Sequence, residues 1–425
     1  MKPLKLHHGR RASESGQTMF MFILLLTTVI LFVGLAIDFG LAYMTKSNLA
    51  KAVDSAALMG ARNLFQGDDV ARNIVQSTFA MNYGRPGRDT AQVVPTISIT
   101  TDANTGQRRL QVTATSTFNT FFIRIIPVWQ TLSASATAEA VRGRLIMSII
   151  LDRSGSMANN GGWSSLPPAM DTFINLFDDS LDKLALITFA SAARVDFPSA
   201  PALGCSQPFK TQIQALVPRQ QSQYAGATFM EGGLTNGYAR ILNTPVISGD
   251  NPVKVAVLFT DGLANVIQER VQCETTDNPR TNTWNFGGFD SGSSYGVFYP
   301  TTGSEKVSSS YGSPPTSCDN PGLRQFNKVS GGVQTIVNMT TIHTEAQQRM
   351  LALAENMQAA GIIVYTIGFG SDVDATFLRE VANDRASDTY NPGLPSGKAV
   401  IAPTTSDIVN SFNIIAADVL SRLTR

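Results

Sequence analysis

From Leu145 to Leu151 the chain is almost continuously aliphatic (Leu145, Ile146, Met147, Ile149, Ile150, Leu151), and it then breaks off at Asp152-Arg153-Ser154-Gly155-Ser156. A strand of that composition, with little alternation, has to be covered on both faces, which predicts a mainly parallel α/β sheet with helices on each side. Ligands of such sheets gather beyond the carboxyl ends of the strands. There the break supplies a carboxylate and two hydroxyls at alternate positions, Asp152, Ser154 and Ser156, and Gly155 removes a side chain that would obstruct them. Oxygen donors of this kind favour a hard cation such as Mg²⁺. Alone, the same residues also make an ordinary capping turn.

Two later stretches add donors of the same type. Gly226-Ala227-Thr228 precedes a helix-like segment and offers a hydroxyl. Val255 to Phe259 reads as a second buried strand ending in Thr260-Asp261-Gly262, which offers a second carboxylate. In this order the three stretches resemble the metal-ion-dependent adhesion site of the von Willebrand factor A family, over about residues 144–425. The resemblance implies a doubly wound, Rossmann-like α/β fold with a metal held by Asp152, Ser154, Ser156, Thr228 and Asp261. The ion it implies is Mg²⁺, or another divalent cation such as Mn²⁺ or Ca²⁺, with one position left for a carboxylate from a protein partner. Two carboxylates balance the charge of the ion, while neutral hydroxyls leave it electrophilic. Glu231, one helical turn beyond Thr228, is either a competitor for the ion or a first-turn acid that stabilises its helix.

The rest of this module reads in βα order. Helices are predicted over Pro168–Leu181, Phe229–Leu242, Thr344–Ala360 and Asp374–Ala382, and strands over Leu184–Ala190, Arg194–Phe197, Ile362–Gly368 and Lys398–Ile401. A terminal helix follows from the spacing of Ile408, Phe412, Ile415, Val419 and Leu423. Residues 265–343 interrupt the pattern with Gly, Ser, Thr, Asn and scattered aromatics, an insertion beside the metal face that is either a partner-contact surface or a long loop.

Ahead of this module, no charged residue occurs from Ser15 to Ile37, a length that crosses a hydrocarbon layer of about 30 Å as a helix. Lys2, Lys5, Arg10 and Arg11 precede it, whereas the charges after it nearly cancel, so a cytoplasmic tail (1–16), a single span (17–40) and an exported remainder are expected. The competing reading is a cleaved secretory signal, with small residues at Gly34-Leu35-Ala36 and Gly40-Leu41-Ala42 where a peptidase could cut. The helical pattern continues past the span through Leu49, Ala52, Val53 and Ala56. Asp38, at the outer end, is expected to be a hydrated interfacial carboxylate. The Ser-Gly-Gln-Thr start, the apolar span, Gly34-Leu35-Ala36-Ile37-Asp38-Phe39-Gly40 and Asp54-Ser55-Ala56-Ala57-Leu58 resemble the N-terminal module of TadG-like proteins of Tad/Flp pilus assembly. That resemblance implies a place beside pilus-assembly components in the inner membrane of a bacterial envelope, with the large domain periplasmic or extracellular.

Between the two modules, a small α+β region (41–141) is expected. Ile97 and Ile99, the turn Asp102–Gly106, and Leu110, Val112 and Ala114 read as a hairpin, and the alternation from Leu132 to Ala140 reads as another half-buried strand. The apolar and aromatic run Phe118–Trp129 is expected to be core, the alternative being a membrane-facing surface.

Composition narrows the function. Lys plus Arg (33) nearly cancels Asp plus Glu (32), and no basic stripe with interleaved aromatics points to nucleic acid. The three cysteines, Cys205, Cys273 and Cys318, lack the close spacing of a zinc site, and any two of them could pair in an oxidising compartment. Only His7, His8 and His343 are available as imidazole bases, and no phosphate-cradling Gly-Lys loop is present. Taken with these exclusions, the two resemblances imply a membrane-anchored adhesion or assembly protein and not an enzyme. The alternatives are a metal-dependent hydrolase using Asp152 and Asp261, and a secreted adhesin released by signal cleavage.

Overall fold

The computed structural model describes residues 15–84, 89–199, 203–273, 280–288, 295–298, 325–327, 334–336 and 339–424, in two compact units. One unit comprises residues 1–100 and 109–140, and the other residues 101–108 and 141–425.

The first unit begins with one unbroken helix, α1 (Ser15–Arg62), followed by α2 (Asp68–Asn82) and a three-stranded sheet, β1 (Thr96–Thr101), β2 (Arg108–Asn119) and β3 (Thr131–Arg142), in that order. The first half of α1 is apolar on all sides and exposed; from Leu49 onward Ala52, Val53, Ala56 and Ala57 are buried against Ala71, Val75 and Phe79 of α2 and Leu110 and Val112 of β2. The β1–β2 hairpin turns where the Asp102 carboxylate accepts the amides of Asn104 and Thr105.

Two expectations fail here. Phe118 is buried, but the run beyond it is not core: it winds through short 3-10 turns at Ile123–Ile125 and Pro127–Trp129 with its large side chains outward. Nor is Asp38 hydrated; it is buried, and its carboxylate accepts the backbone amides of Phe121, Phe122 and Ile123 at 2.8–2.9 Å. The reason is common to both, since three amides outside any sheet need an acceptor and Asp38 supplies one.

The second unit is built on a six-stranded sheet. Its elements run β4 (Leu145–Asp152), α3 (Gly155–Asn159), α4 (Gly162–Asn175), β5 (Lys183–Phe189), β6 (Ala193–Phe197), α5 (Lys210–Leu216), α6 (Met230–Leu242) and β7 (Val253–Thr260). Then come β8 (Val266–Cys273), β9 (Arg280–Gly288), β10 (Tyr295–Phe298), β11 (Gln325–Asn327), β12 (Gln334–Ile336), α7 (Met339–Ala359), β13 (Ile362–Phe369), α8 (Ala375–Val381), β14 (Ala399–Ala402) and α9 (Asp407–Leu423). The sheet order is β14-β13-β7-β4-β5-β6, parallel throughout except for β6 at one edge.

Alternate residues of each strand divide between two cores. Met147, Ile149, Leu151, Val257 and Phe259 pack with Phe173 of α4 and Phe412 of α9; Ile146, Ile150, Ala256 and Leu258 pack on the other face with Leu234 of α6 and Met350 of α7. This explains why β4 reads as continuously aliphatic.

Helix α4 starts at Gly162, six residues earlier than its sequence predicts, and carries Pro167 and Pro168 inside it. Proline usually opens a helix. Here the buried stripe Leu166, Ala169, Met170, Phe173 and Ile174 extends the helix through them despite the lost amide bonds.

The insertion is not uniformly irregular. Strands β8, β9 and β10 form an antiparallel sheet, β11 pairs with β12, and α7 already begins at Met339. Cys318, and the side chains of Cys273 and of the aromatic residues from Trp284 to Tyr299, lie outside the described residues. Cys205 is a buried free thiol beside Ser148 Oγ and the Met147 carbonyl, and burial pushes its pKa up to about 11.

Candidate metal centre

At the carboxyl end of β4 the backbone turns sharply, and three contacts shape the turn. Arg153 N donates to the Phe189 carbonyl, Gly155 N to the Gly226 carbonyl, and Ala225 N to the Arg153 carbonyl. The loop before α6 is thereby laid across the Asp152–Ser156 loop. Gly226 sits at φ +93°, in the left-handed region open to glycine. Helix α6 itself lies close to the sheet because Gly233 and Gly237 have no side chains; a β-carbon on Gly237 would stand 2.7 Å from Ile150 Cδ1. This close approach carries Thr228 over the strand ends.

Asp152 is fully buried. Its Oδ1 accepts the Ser154 amide at 2.7 Å and its Oδ2 accepts the Thr260 hydroxyl at 2.6 Å. Ser156 Oγ donates to Asp261 Oδ1 at 2.6 Å and lies 3.0 Å from Ser154 Oγ. Asn160 Nδ2 donates to Asp261 Oδ2 at 3.2 Å. Thr228 faces the same place: a β-carbon built on Gly262 would stand 3.6 Å from Thr228 Oγ1 and 3.7 Å from Ser156 Oγ. Four of the sequence-selected residues, Asp152, Ser154, Ser156 and Asp261, thus join one hydrogen-bonded chain, with Thr228 beside it.

The electrostatics of the two acids run one way. Burial raises the Asp152 pKa, and burial followed by the Asp152 charge pushes Asp261 up to about 7. Two carboxylates held together out of water repel each other's ionised form, a conflict that a cation relieves. The donor set of two carboxylates and three hydroxyls is made of hard oxygens and fits a divalent ion of the Mg²⁺ class. Among the described residues no group of three or more His, Cys, Asp or Glu side chains is arranged to hold a metal.

Glu231 does not point to this centre. Its electrostatic neighbours are Arg349, Glu345 and Glu269, and burial pushes its pKa up to about 7. Arg349 binds Glu345 and Glu269 at 2.7–2.8 Å, forming a separate charged cluster.

Sequence reasoning missed three supporting residues. Thr260 holds Asp152, Asn160 holds Asp261, and Asn265 Oδ1 accepts the Thr228 amide at 2.7 Å. Thr260 was visible as the residue before Asp261; Asn265 lay hidden as the first residue of the insertion.

Comparison with known proteins agrees with this architecture. Residues 16–63 match the Flp pilus-assembly TadE/G-like family, and residues 147–281 match the von Willebrand factor type A domain. The second unit therefore has the von Willebrand factor A fold, as its sequence predicts. No curated protein matches the sequence. Among solved structures, the pilus adhesin SpaC from Lactobacillus rhamnosus GG is 14% identical with a TM-score of 0.41, covering 80% of this chain and 35% of SpaC. The von Willebrand factor domain of the type V pili tip protein Mfa5 from Porphyromonas gingivalis is 13% identical with a TM-score of 0.37, covering 67% of this chain and 97% of that one. Proximal thread matrix protein 1 from the mussel byssus, solved with a zinc-occupied metal-ion-dependent adhesion motif, is 14% identical with a TM-score of 0.35, covering 67% of this chain and 46% of that one. The chain thus spans about a third of SpaC's length.

Proposed function

We propose that this chain, which joins a TadE/G-like N-terminal region to a von Willebrand factor A domain, is a membrane-anchored protein of Tad/Flp-type pilus assembly or adhesion that captures a protein partner through a divalent metal. Residues 1–16 form a cytoplasmic tail, 17–40 a single span of the inner membrane, 41–141 an α+β region, and 144–425 the exported von Willebrand factor A domain with its insertion at 265–343. The observation that carries the binding step is the chain Ser154 Oγ, Ser156 Oγ, Asp261, with Thr228 Oγ1 facing the same glycine.

In this reading Ser154, Ser156 and Thr228 present hydroxyl oxygens to the ion, and Asp152 and Asp261 neutralise it directly or through water. When bound, the ion supplies a Lewis-acidic position for a carboxylate of the partner. The chain's own part is to hold the oxygens in place: Thr260 and the Ser154 amide fix Asp152, Asn160 fixes Asp261, and Asn265 fixes the Thr228 backbone. A rigid donor set of this kind serves binding, with no turnover required of it.

The test uses the full-length chain in membranes, crosslinked and probed for captured pilus components with and without chelator. Asp152→Ala and chelator should each reduce capture to the same residual level while the fold is kept by circular dichroism. Capture undiminished in chelator would refute the metal-dependent mechanism.

A further inference from the structure

The segment between β2 and β3 presents a surface that metal-dependent capture leaves unused. Ile125 is 87% exposed and Val128 84%, and Phe121, Ile126 and Trp129 are also exposed. This patch adjoins α1. The Asp38 carboxylate takes the amides of Phe121, Phe122 and Ile123, and Phe122 lies on Gly34, where a β-carbon would stand 2.7 Å from Phe122 Cβ. Between helix and loop runs a groove of about 660 Å³, lined by Ile30, Leu31 and Leu35 on one side and Phe122, Ile126 and Trp129 on the other.

Those helix positions belong to the uncharged stretch of α1. With a rise of about 1.5 Å per residue, Leu31 lies roughly 10 Å before Asp38 along the axis. Side chains that flank the groove beside Leu31 therefore share its depth. We propose that the Phe121–Trp129 loop is a second membrane contact: its backbone lies at the headgroup boundary on the Asp38 side of the span, its apolar side chains reach among the acyl chains, and the Asp38 carboxylate holds it against the anchor. This rests on the reading of α1 as a membrane anchor.

The backbone of the loop fits a lipid environment better than a loop usually does. Lipid-exposed irregular backbone does not occur in the hydrocarbon core, so the loop backbone belongs at the headgroup boundary, where amides without an internal partner still meet water. Here Asp38 takes three amides, Thr120 N donates to the Gln130 carbonyl, Ile126 N to the Ile123 carbonyl and Trp129 N to the Ile126 carbonyl. Pro127 has no amide proton to satisfy. The Thr120 hydroxyl adds a bond to the Trp129 carbonyl at 2.7 Å. Arg124 is long enough to reach the headgroup phosphates, and tryptophan is the side chain most suited to the same boundary. Lipid is favoured over a protein occupant because the patch continues the lipid-facing surface of α1, through Ile30, Leu31 and Phe39, without a polar break.

The full-length chain carrying Trp163→Phe and Trp284→Phe leaves Trp129 as its only tryptophan, and it is reconstituted in phosphatidylcholine vesicles with acyl chains brominated near the headgroup, brominated at mid-chain or left plain. Brominated lipid should remove most of the Trp129 emission. Asp38→Ala should restore most of it, and Asp38→Asn, which keeps one acceptor oxygen, should restore it in part. A control chain with Ile30→Trp and all native tryptophans replaced by phenylalanine reports the span itself. If Ile30→Trp is quenched and Trp129 is not, the loop lies outside the lipid and the proposal fails while the anchor stands. If neither is quenched, the anchor reading fails and takes the proposal with it. Quenching of Trp129 that disappears as the protein-to-lipid ratio rises would mean that a second copy covers the patch, and quenching unaltered by Asp38→Ala would refute the role of Asp38.

Discussion

Asp261 offers a quantitative test of the metal centre. Its pKa is pushed up to about 7 by burial and by the neighbouring Asp152 charge, whereas an ordinary aspartate ionises near 3.8. A divalent ion needs the ionised carboxylate, so binding must displace the proton that the metal-free site holds. With a pKa of about 7, Asp261 is protonated to about 0.9 at pH 6 and about 0.1 at pH 8. Affinity for Mg²⁺ should therefore be nearly flat above pH 8 and fall about 30-fold between pH 8 and pH 5.5. For stability without metal the sign is the reverse of the usual acid. The folded state binds a proton that the unfolded chain has already lost, so the metal-free protein should gain stability as pH falls from about 7 toward 3.8. Titration calorimetry at pH 6 in two buffers of different ionisation enthalpy should count about one proton or more released per ion, since the raised Asp152 pKa acts in the same direction. Asp261→Asn should abolish both the release and the binding. Equal affinity at pH 5.5 and pH 8 with no proton released would refute the assignment of Asp261 to the ion.

Three further outcomes check the fold and the topology. Phe412 is fully buried between Phe173 and Phe259, with ring centroids 5.2 and 5.7 Å away, so Phe412→Ala should destabilise the second unit by about 3 to 5 kcal/mol in urea unfolding; an unchanged midpoint would mean that α9 does not pack on the sheet. Arg142 and Asp182 form a buried ion pair at 2.6 Å, and Asp182 also accepts the amides of Leu145 and Asp178, fixing the start of β4. Arg142→Met should cost about 3 to 5 kcal/mol because it strands the carboxylate, and adding Asp182→Leu should recover part of that loss; no recovery would show that the pair acts through packing alone. Protease added to spheroplasts should digest the large domain and spare the N-terminal tail, and digestion of the tail alone would invert the orientation.

The strands that pack on both faces were legible because burial leaves no polar position to confuse them. Leu145–Asp152 and Ile362–Phe369 are buried at every residue. Segments whose environment depends on partners far along the chain were not legible. An apolar run such as Phe118–Trp129 has the same composition whether it fills a core or faces outward, and only its link to Asp38, more than eighty residues away, separates the two. The early start of α4 was obscured in a similar way, since the proline signal is local whereas the stripe Leu166, Met170 and Phe173 gains its force from α9 and the sheet.

The metal centre shows the same division at the level of topology. The sequence displays three polar strand ends and loops, but it does not display the strand order that makes them neighbours. After β4 the chain winds outward through β5 and β6, then returns to place β7 on the opposite side of β4 and continues through β13 to β14. Winding reverses at β4, and the connections that follow β4 and β7 leave toward opposite faces: α4 packs in the core with Phe412, and α7 in the core with Leu234. Loops that part in this way open a crevice at the carboxyl ends of the two strands, where ligands of open α/β sheets bind. Asp152 closes β4, and Asp261 follows β7 directly. Thr260, the last residue of β7, can therefore reach across to Asp152 from more than a hundred residues away, and Ser156 can reach Asp261. The identities of the donors are a property of the sequence, while their convergence is a property of the reversal at β4.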